Sequence, residues 1–388
     1  MFDLTEDWKN AGFGIYVHWP FCAAKCPYCD FNSHVRDSVD QKRWADALCR
    51  ELENEHARTP NRLVNTIFFG GGTPSLMSPD TVRQIIDKIS NLWQVDMNTE
   101  INLEANPTSV EATKFAGFAQ AGVNRLSMGV QALNDADLRR LGRMHSAAEA
   151  RAAFDIAKKY FTRVSFDLIY ARQDQDQNSW HSELREAAEM AVDHLSLYQL
   201  TIEPNTRFGE LYDRGKLRGL PSDDASADMY ARTQDYCNAL GMPAYEVSNH
   251  AAPGSESRHN LIYWRYGDYV GVGAGAHGRI TVDRQRIATH SPENPEKWLS
   301  LVEQNGTALY DAERVEPEDQ ASEYLMMSLR LSEGTNITRY QSLNGSPPRD
   351  SAIKNNVDLG LLKREKNRLI ATNSGRMVLN AILRDLLA

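Results

Sequence analysis

The chain has no long apolar run and no basic cluster. None of its 388 residues lie in a stretch approaching the roughly 18 apolar residues that a membrane span needs, and the first residues lack the basic and apolar blocks of a signal peptide. With 43 basic and 52 acidic side chains the formal net charge is −9, and no basic run is present to bind a polyanion. We therefore expect a cytoplasmic protein without a transmembrane segment that does not bind nucleic acid, while peripheral contact with a membrane remains open.

Cysteine is scarce, and its distribution is uneven. Three of the five cysteines, Cys22, Cys26 and Cys29, fall within eight residues. An odd number of cysteines clustered in this way is a poor disulfide framework and a good set of metal ligands in a reducing compartment. We expect the other two, Cys49 and Cys237, to be ordinary buried thiols.

The spacing Cys-x3-Cys-x2-Cys favours an iron–sulfur cluster. A cubane of four irons needs four ligands, so three local thiolates leave one iron open for a small external molecule. Structural zinc is the alternative, but zinc sites generally use two paired ligand sets, and the chain shows no second Cys or His pair at a matching spacing.

Short β-rich runs alternate with segments of helical periodicity in the first half of the chain. The predicted strands are Phe13–Val17, Asn65–Phe69, Glu100–Glu104, Arg125–Val130, Arg163–Tyr170 and His194–Ile202. This alternation predicts an α/β fold with a parallel sheet covered by helices. Six units are fewer than the eight of a closed β/α barrel, so we expect a partial barrel with its functional residues at the carboxyl ends of the strands.

Candidate site residues occupy these strand ends. The cysteines follow the first strand, the run from Gly70 to Pro74 follows the second, and Glu104, Gln131 and Asp167 lie at or near the ends of the next three. Glycines there allow a ligand to approach the backbone closely. The run lacks the Lys-Ser/Thr ending of a phosphate-binding loop, which argues against nucleotide triphosphate hydrolysis.

The alternation stops after about residue 205, and we predict a second domain over residues 246–388 beside a first domain over residues 1–245. The sequence at the end of the chain predicts two helices, a short hairpin over 361–372 and a last helix from Gly375. This order is typical of a winged-helix-like unit. From Val315 onward the 10 basic and 9 acidic residues are too balanced for a DNA reader. The Gly-x-Gly-x-x-Gly pattern at 273–278 precedes a predicted strand, not a helix, and is expected to reflect backbone crowding.

The run from Tyr16 to Cys29, Tyr-Val-His-Trp-Pro-Phe-Cys-Ala-Ala-Lys-Cys-Pro-Tyr-Cys, resembles the radical S-adenosylmethionine (SAM) proteins of the oxygen-independent coproporphyrinogen oxidase group, and within it the haem chaperones. The resemblance extends over nearly the whole chain. It implies a partial β/α barrel with a 4Fe-4S cluster on the three cysteines, and SAM bound to the open iron. By motif match it implies SAM contacts from Tyr16, Tyr28, Gly71, Gly72, Thr73, Glu104, Gln131, Arg143 and Asp167.

A second signature, Arg-His-Asn-Leu-Ile-Tyr-Trp, begins at Arg258 and contains His259. A histidine among aromatic residues is most often a packed core residue, but it can also be an axial ligand of haem iron. The motif resembles the haem-binding motif of the chaperones, which implies haem as a further cofactor held by His259 and haem proteins as acceptors.

Two functions from different classes remain. One is a haem chaperone, and the other is an oxygen-independent coproporphyrinogen III oxidase that decarboxylates its substrate by radical chemistry in porphyrin biosynthesis. A related haem-degrading methyltransferase has no feature here that can be assigned to it. Catalytic oxidases carry a further cysteine two positions after the third, where this chain has Phe31. That departure, a short N-terminal arm and the His259 motif favour the chaperone and leave no residue assigned as catalytic. Either a monomer or a homodimer is consistent with the sequence.

Overall fold

The computed structural model describes residues 4–309 and 311–388, and its main feature is one open sheet of 11 strands. The strands of the chain are β1 (Phe13–Trp19), β2 (Phe21–Cys22), β3 (His34–Val35), β4 (Leu63–Gly71), β5 (Gln94–Ala105), β6 (Arg125–Gln131), β7 (Arg163–Tyr170), β8 (His194–Gln199), β9 (Asn249–Ala251), β10 (Asp268–Val272), β11 (His277–Val282), β12 (Gln285–His290), β13 (Asp311–Arg314), β14 (Thr335–Asn336), β15 (Leu362–Glu365) and β16 (Arg368–Ala371).

Helices cover this sheet and form most of the C-terminal part. They are α1 (Gln41–Arg58), α2 (Pro79–Leu92), α3 (Ser109–Ala112), α4 (Phe115–Gln120), α5 (Asp135–Arg140), α6 (Ala147–Tyr160), α7 (Gln177–Met190), α8 (Arg207–Asp213), α9 (Asp223–Ala239), α10 (Arg258–Trp264), α11 (Pro295–Asn305), α12 (Pro317–Ser328), α13 (Ile337–Asn344), α14 (Asp350–Asp358), α15 (Asn373–Met377) and α16 (Leu379–Leu387). Two 3₁₀ helices cover Leu4–Asn10 and Pro74–Leu76. None of the helices in the described residues combines the length and the apolar character that crossing a bilayer requires.

The sheet is an open, partial barrel, as the sequence predicts. Its order is β13-β12-β11-β10-β1-β4-β5-β6-β7-β8-β9, and all neighbours from β10 to β8 in that order are parallel. All six predicted strands are present. Because the neighbours run in one direction, the carboxyl ends of β1, β4, β5, β6 and β7 share one edge of the sheet.

Local sequence explains how the helices pack on the barrel. Trp44, Leu48 and Leu52, four residues apart, form the buried face of α1. Ser78 accepts a hydrogen bond from the backbone of Thr81 and so caps α2, whose first residue is a proline. The apolar faces of these helices join the barrel strands in one core.

The main sheet continues beyond the predicted domain boundary. β10 pairs in parallel with β1, and β11, β12 and β13 extend the same sheet in antiparallel order. Gly273 and Gly275 lie in the turn between β10 and β11, where a Cβ would come within 2.3 Å of the His18 oxygen and 2.2 Å of Asn32 Nδ2, respectively. The glycine pattern thus serves close backbone packing before a strand, as predicted, while the division at residue 245 stays a prediction.

The C-terminal part has the winged-helix-like pattern expected from the sequence. Helices α12, α13 and α14 precede the hairpin of β15 and β16, which β14 completes as a three-stranded sheet, and α15 and α16 follow. A separate apolar core fills this unit. Arg339 of α13 joins it to the start of the chain through two contacts with the carboxylate of Asp7, at 2.8 and 2.6 Å, and both side chains are buried.

Candidate functional site

The three clustered cysteines lie in the loop that follows β1. The amide of Gly72 donates to the carbonyl of Trp19 at 2.7 Å, so the residues after β4 hold the start of this loop. Cys22 is buried in β2, whereas Cys26 and Cys29 are half-buried and linked by a turn in which the Cys29 amide donates to the Cys26 carbonyl. All five cysteines are free thiols, and Cys49 and Cys237 are buried as predicted.

A cavity of about 490 Å³ opens at the edge of the sheet where these cysteines lie. This volume falls in the range typical of small-molecule sites. The predicted site residues that line it are Cys22, Cys26, Tyr28, Cys29, Gly71, Gly72, Thr73, Glu104, Gln131, Arg143 and Asp167. The structure therefore brings together eleven of the thirteen residues that sequence reasoning selected, and it leaves out Tyr16 and His259.

The glycine segment at the end of β4 forms one wall, and Gly71 and Gly72 have no room for side chains. Gly71 adopts a positive φ of 112°, and a Cβ there would lie 2.7 Å from the ring of His18. A Cβ on Gly72 would lie 2.7 Å from the Phe21 oxygen and 3.0 Å from Cys22 Sγ. This wall therefore exposes backbone groups to the cavity directly beside a cysteine sulfur.

Two hydrogen-bond donors point at the cysteine sulfurs. Thr73 Oγ1 lies 3.4 Å from Cys22 Sγ, and Arg143 Nη1 lies 3.3 Å from Cys26 Sγ. Arg143 Nη2 also donates to Asn106 Oδ1 at 2.5 Å, while its buried Nε has no hydrogen-bond partner among the described residues. A fixed guanidinium at this position stabilises negative charge on sulfur. Burial, by contrast, raises the pKa of the Cys22 and Cys29 thiols.

Two interacting acidic side chains, Glu104 and Asp167, lie in the carboxyl halves of β5 and β7. Burial and the nearby charge of Asp167 raise the pKa of Glu104 to about 8. Burial also raises the pKa of Asp167 to about 6, against the opposing effects of a hydrogen bond to Ser196 and the charge of Arg125. Such carboxyls can accept hydrogen bonds from the hydroxyls of a ribose.

A bulge at the end of β6 places Gln131 in the cavity wall. The register between β6 and β7 shifts between Met128 and Gln131, and Gln131 itself has a positive φ of 71°. A non-glycine residue in this conformation carries backbone strain of a kind that often marks ligand sites. The resemblance selected Gln131, but the strain is visible only in the structure.

Asn106 is the clearest residue that sequence reasoning missed. Its Oδ1 accepts from Arg143, and its Nδ2 donates to Thr73 Oγ1 at 3.3 Å, so it connects the two side chains that contact the cysteine sulfurs. It lies directly after β5, in the same run as Glu104. Its position as a polar residue at a strand end was the signal that could have identified it.

Tyr16 and His259 lie beneath the cavity, inside the barrel. Tyr16 contacts the ring of His18 at 2.9 Å and stacks on Phe68. His259 is 0% exposed, and both its ring nitrogens are engaged, Nδ1 with the Thr66 hydroxyl and Nε2 with the Tyr263 hydroxyl, each at 2.7 Å. Burial lowers the pKa of His259 to about 3. Neither ring nitrogen is free to bind iron in this arrangement.

The cavity fits a cluster with three protein ligands better than a single ion. No group of three or more His, Cys, Asp or Glu side chains in the described ranges is arranged to hold one metal ion. A cubane does not require its ligands to converge, because each thiolate binds a different iron. The thiols of Cys22, Cys26 and Cys29 share one cavity, and Arg143 and Thr73 supply donors to two of the sulfurs.

Comparison with known proteins agrees with this geometry. The Radical SAM superfamily model matches residues 16–198. The heme chaperone HemW of Escherichia coli K12 is 37% identical over 98% of this chain and 99% of its own length, and the HemW of Haemophilus influenzae is 36% identical over 97% and 98%. The chain belongs to the HemW family of radical SAM proteins. Membership in the radical SAM superfamily implies a 4Fe-4S cluster and SAM as cofactors.

The HemW fold has a counterpart among solved structures. Coproporphyrinogen III oxidase (HemN) from Escherichia coli superimposes with a TM-score of 0.80, covering 98% of this chain and 90% of that one, at 21% identity. At this identity the likeness establishes the fold, including the open sheet and the C-terminal unit. HemW membership rests on the sequence relatives.

Proposed function

We propose that this protein is a haem chaperone that binds a 4Fe-4S cluster, SAM and haem and delivers haem to acceptor haem proteins in the cytoplasm. The observation that carries the proposal is similarity at 36–37% identity, over nearly the whole length, to two proteins named heme chaperone. The cavity supports the cofactor part, because cluster ligands and candidate SAM contacts line one volume.

Each part of the cavity has a role in this proposal. Cys22, Cys26 and Cys29 hold the cluster. The guanidinium of Arg143 stabilises the negative charge on the cluster ligands. When bound, the cluster offers one open iron to the amino and carboxylate groups of SAM. The backbone at 71–73 supports the SAM amino group, and Glu104 and Asp167 accept hydrogen bonds from the nucleoside.

The alternative function is oxygen-independent coproporphyrinogen III oxidase, and the fold of HemN is compatible with it. Phe31, at the mouth of the cavity, argues against the oxidase function. Phe31 lines the cavity with 59% of its surface exposed, at the position where the oxidases are expected to carry a further cysteine. The chaperone therefore remains the function that we propose.

A paired assay on one anaerobic preparation tests the proposal. Reconstituted protein is loaded with haemin, mixed with an acceptor haem protein stripped of its haem, and followed by the absorbance of the acceptor, while a parallel sample receives coproporphyrinogen III. We expect haem transfer and no decarboxylated product. Efficient turnover of coproporphyrinogen III would establish the oxidase instead, and failure to bind haemin would refute the chaperone.

The cluster assignment has its own test. Replacing Cys26 by alanine removes one of three local ligands, so Cys26→Ala should abolish the visible absorbance of the reconstituted cluster. Cys237→Ala provides the matched control, because Cys237 is buried in α9 outside the cavity. Retention of the cluster spectrum in Cys26→Ala would show that other residues hold the metal.

A further inference from the structure

One histidine differs from all the others in its exposure. The chain has ten histidines, all of them within the described residues, and His277 alone is exposed. It begins β11 and pairs across the strands with His290, the last residue of β12. The two rings are stacked, with centroids 4.2 Å apart and planes at 24°. Nε2 of His290 is buried and has no hydrogen-bond partner among the described residues.

This histidine pair lies at the same edge of the sheet as the cysteines. β10 runs parallel to β1, and the turn at 273–276 leads from the carboxyl end of β10 directly to His277. Asn32, three residues after Cys29, donates from Nδ2 to the carbonyls of Ala274 at 2.9 Å and Glu293 at 3.0 Å. The cysteine loop is therefore hydrogen-bonded to the turns that begin and end this hairpin.

His259 lies deeper inside the barrel, where its ring stacks on Tyr16 and Phe68. It contacts Thr66 in the first half of β4, and a Cβ on Gly14, near the start of β1, would lie 3.2 Å from its ring. Iron could reach His259 only if α10 moved and one of the two ring hydrogen bonds were broken. His277 requires no such rearrangement, because its ring is already open to solvent.

The surface beside the pair matches a flat, apolar ligand with acidic groups. Phe31 and Val35, on either side of Asn32, are 59% and 46% exposed. Two cationic side chains of the same segment are exposed: Lys25, which donates to the carbonyls of Phe31 and Ser33, and Arg36, which pairs with Glu296. Haem has an apolar ring, two carboxylates and an iron that needs only one or two protein ligands, since the porphyrin fills the other four positions.

We propose that His277 is an axial ligand of haem iron, with His290 stacked behind it and Phe31 beside the porphyrin. The proposal rests on the proposed function, since it names the iron ligand of a haem that the chaperone would carry. It places haem at the mouth of the cluster cavity, because Phe31 also lines that cavity. His290 acts as a positioning residue through its ring contact with His277.

Haemin titration of the anaerobically reconstituted full-length protein tests this assignment. Absorbance and low-temperature electron paramagnetic resonance report the axial ligand, and wild type is compared with His277→Ala, His290→Ala and His259→Ala. His56→Ala is the control, a half-buried histidine of α1 that packs on Trp93. The cluster absorbance of each variant shows whether it still folds.

We expect His277→Ala to lose the signature of histidine-ligated haem and to bind haemin about tenfold more weakly or worse, and added free imidazole to restore the signature. His290→Ala should weaken binding by on the order of tenfold or less, as loss of an orienting group does. His56→Ala should match wild type.

The remaining outcomes separate this inference from the proposed function. If wild type binds no haemin, both fail. If wild type binds and transfers haem while His277→Ala keeps the wild-type spectrum and affinity, the chaperone stands and the ligand assignment is overturned. Loss of binding in His277→Ala that imidazole does not rescue, or loss confined to His259→Ala, also overturns the assignment.

Discussion

The paired carboxyls of the cavity should make the stability of the ligand-free protein fall as pH rises. In the folded state the pKa of Glu104 is raised from 4.5 to about 8. Between these values the folded protein holds a proton that the unfolded chain has released, so the free energy of unfolding decreases with pH and levels off above about 8. Asp167, with its pKa raised from 3.8 to about 6, contributes in the same direction at lower pH.

The size of the effect follows from the raised pKa and from the openness of the cavity. A rise from 4.5 to about 8 corresponds to at most about 5 kcal/mol, at about 1.4 kcal/mol for each pKa unit. Glu104 is only half-buried and lines a cavity that admits water. Screening by that water reduces the expected contribution of Glu104 to about 1–2 kcal/mol.

Urea unfolding of the cluster-free protein under reducing conditions measures this contribution. Over a pH series from about 5 to 9, wild type should lose about 1–2 kcal/mol more stability than Glu104→Gln, whose amide does not titrate. Glu189→Gln changes an exposed carboxylate on α7 and should retain the wild-type slope. Equal pH dependence in Glu104→Gln and wild type would refute the reasoning that the Glu104 carboxyl holds a proton in the folded state.

Two further substitutions test the packing of the cavity wall and of the C-terminal unit. Gly72→Ala places a methyl group 3.0 Å from Cys22 Sγ and should lower the iron content after reconstitution; a full cluster would show that the wall can move. Arg339→Met leaves the buried Asp7 carboxylate unpaired and should cost about 3–5 kcal/mol in urea unfolding. Arg349→Met removes an exposed pair at 3.9 Å and should cost less than about 1 kcal/mol, and a similar loss in both variants would contradict the importance of burial.

The barrel strands could be predicted from the sequence because each is a short, nearly continuous apolar run. β7 has the predicted bounds, Arg163–Tyr170. Parallel strands place their carboxyl ends at one edge of the sheet, so the position of the cavity follows from the strands. The placement of β10 beside β1 could not be predicted. Phe13 pairs with Asp268, and no local pattern specifies a partner so distant along the chain.

The sequence predicts those site residues that the parallel strands position, but not the contacts that loops and side-chain rotamers make. Cys22 follows β1, and Glu104 and Asp167 lie in the carboxyl halves of β5 and β7, so the parallel sheet brings them to one cavity. The contact between Arg143 and Cys26 depends on the path of the loop before α6 and on a side-chain rotamer. Neither is encoded in residue spacing, so the strand-end position of Asn106 could not reveal its contacts with Arg143 and Thr73.

Motif recognition identifies an imidazole but does not determine whether a ligand can reach it. The motif that contains His259 carries Tyr263 and Trp264 whether it forms an open haem pocket or a closed core. Here Thr66 and Tyr263 contact both ring nitrogens of His259. His277 has no comparable motif, yet β10, parallel to β1, and the turn that follows it carry His277 to the edge where the cysteines lie. A ligand that must be taken up and released needs an accessible iron ligand, so topology favours His277 where sequence similarity favours His259.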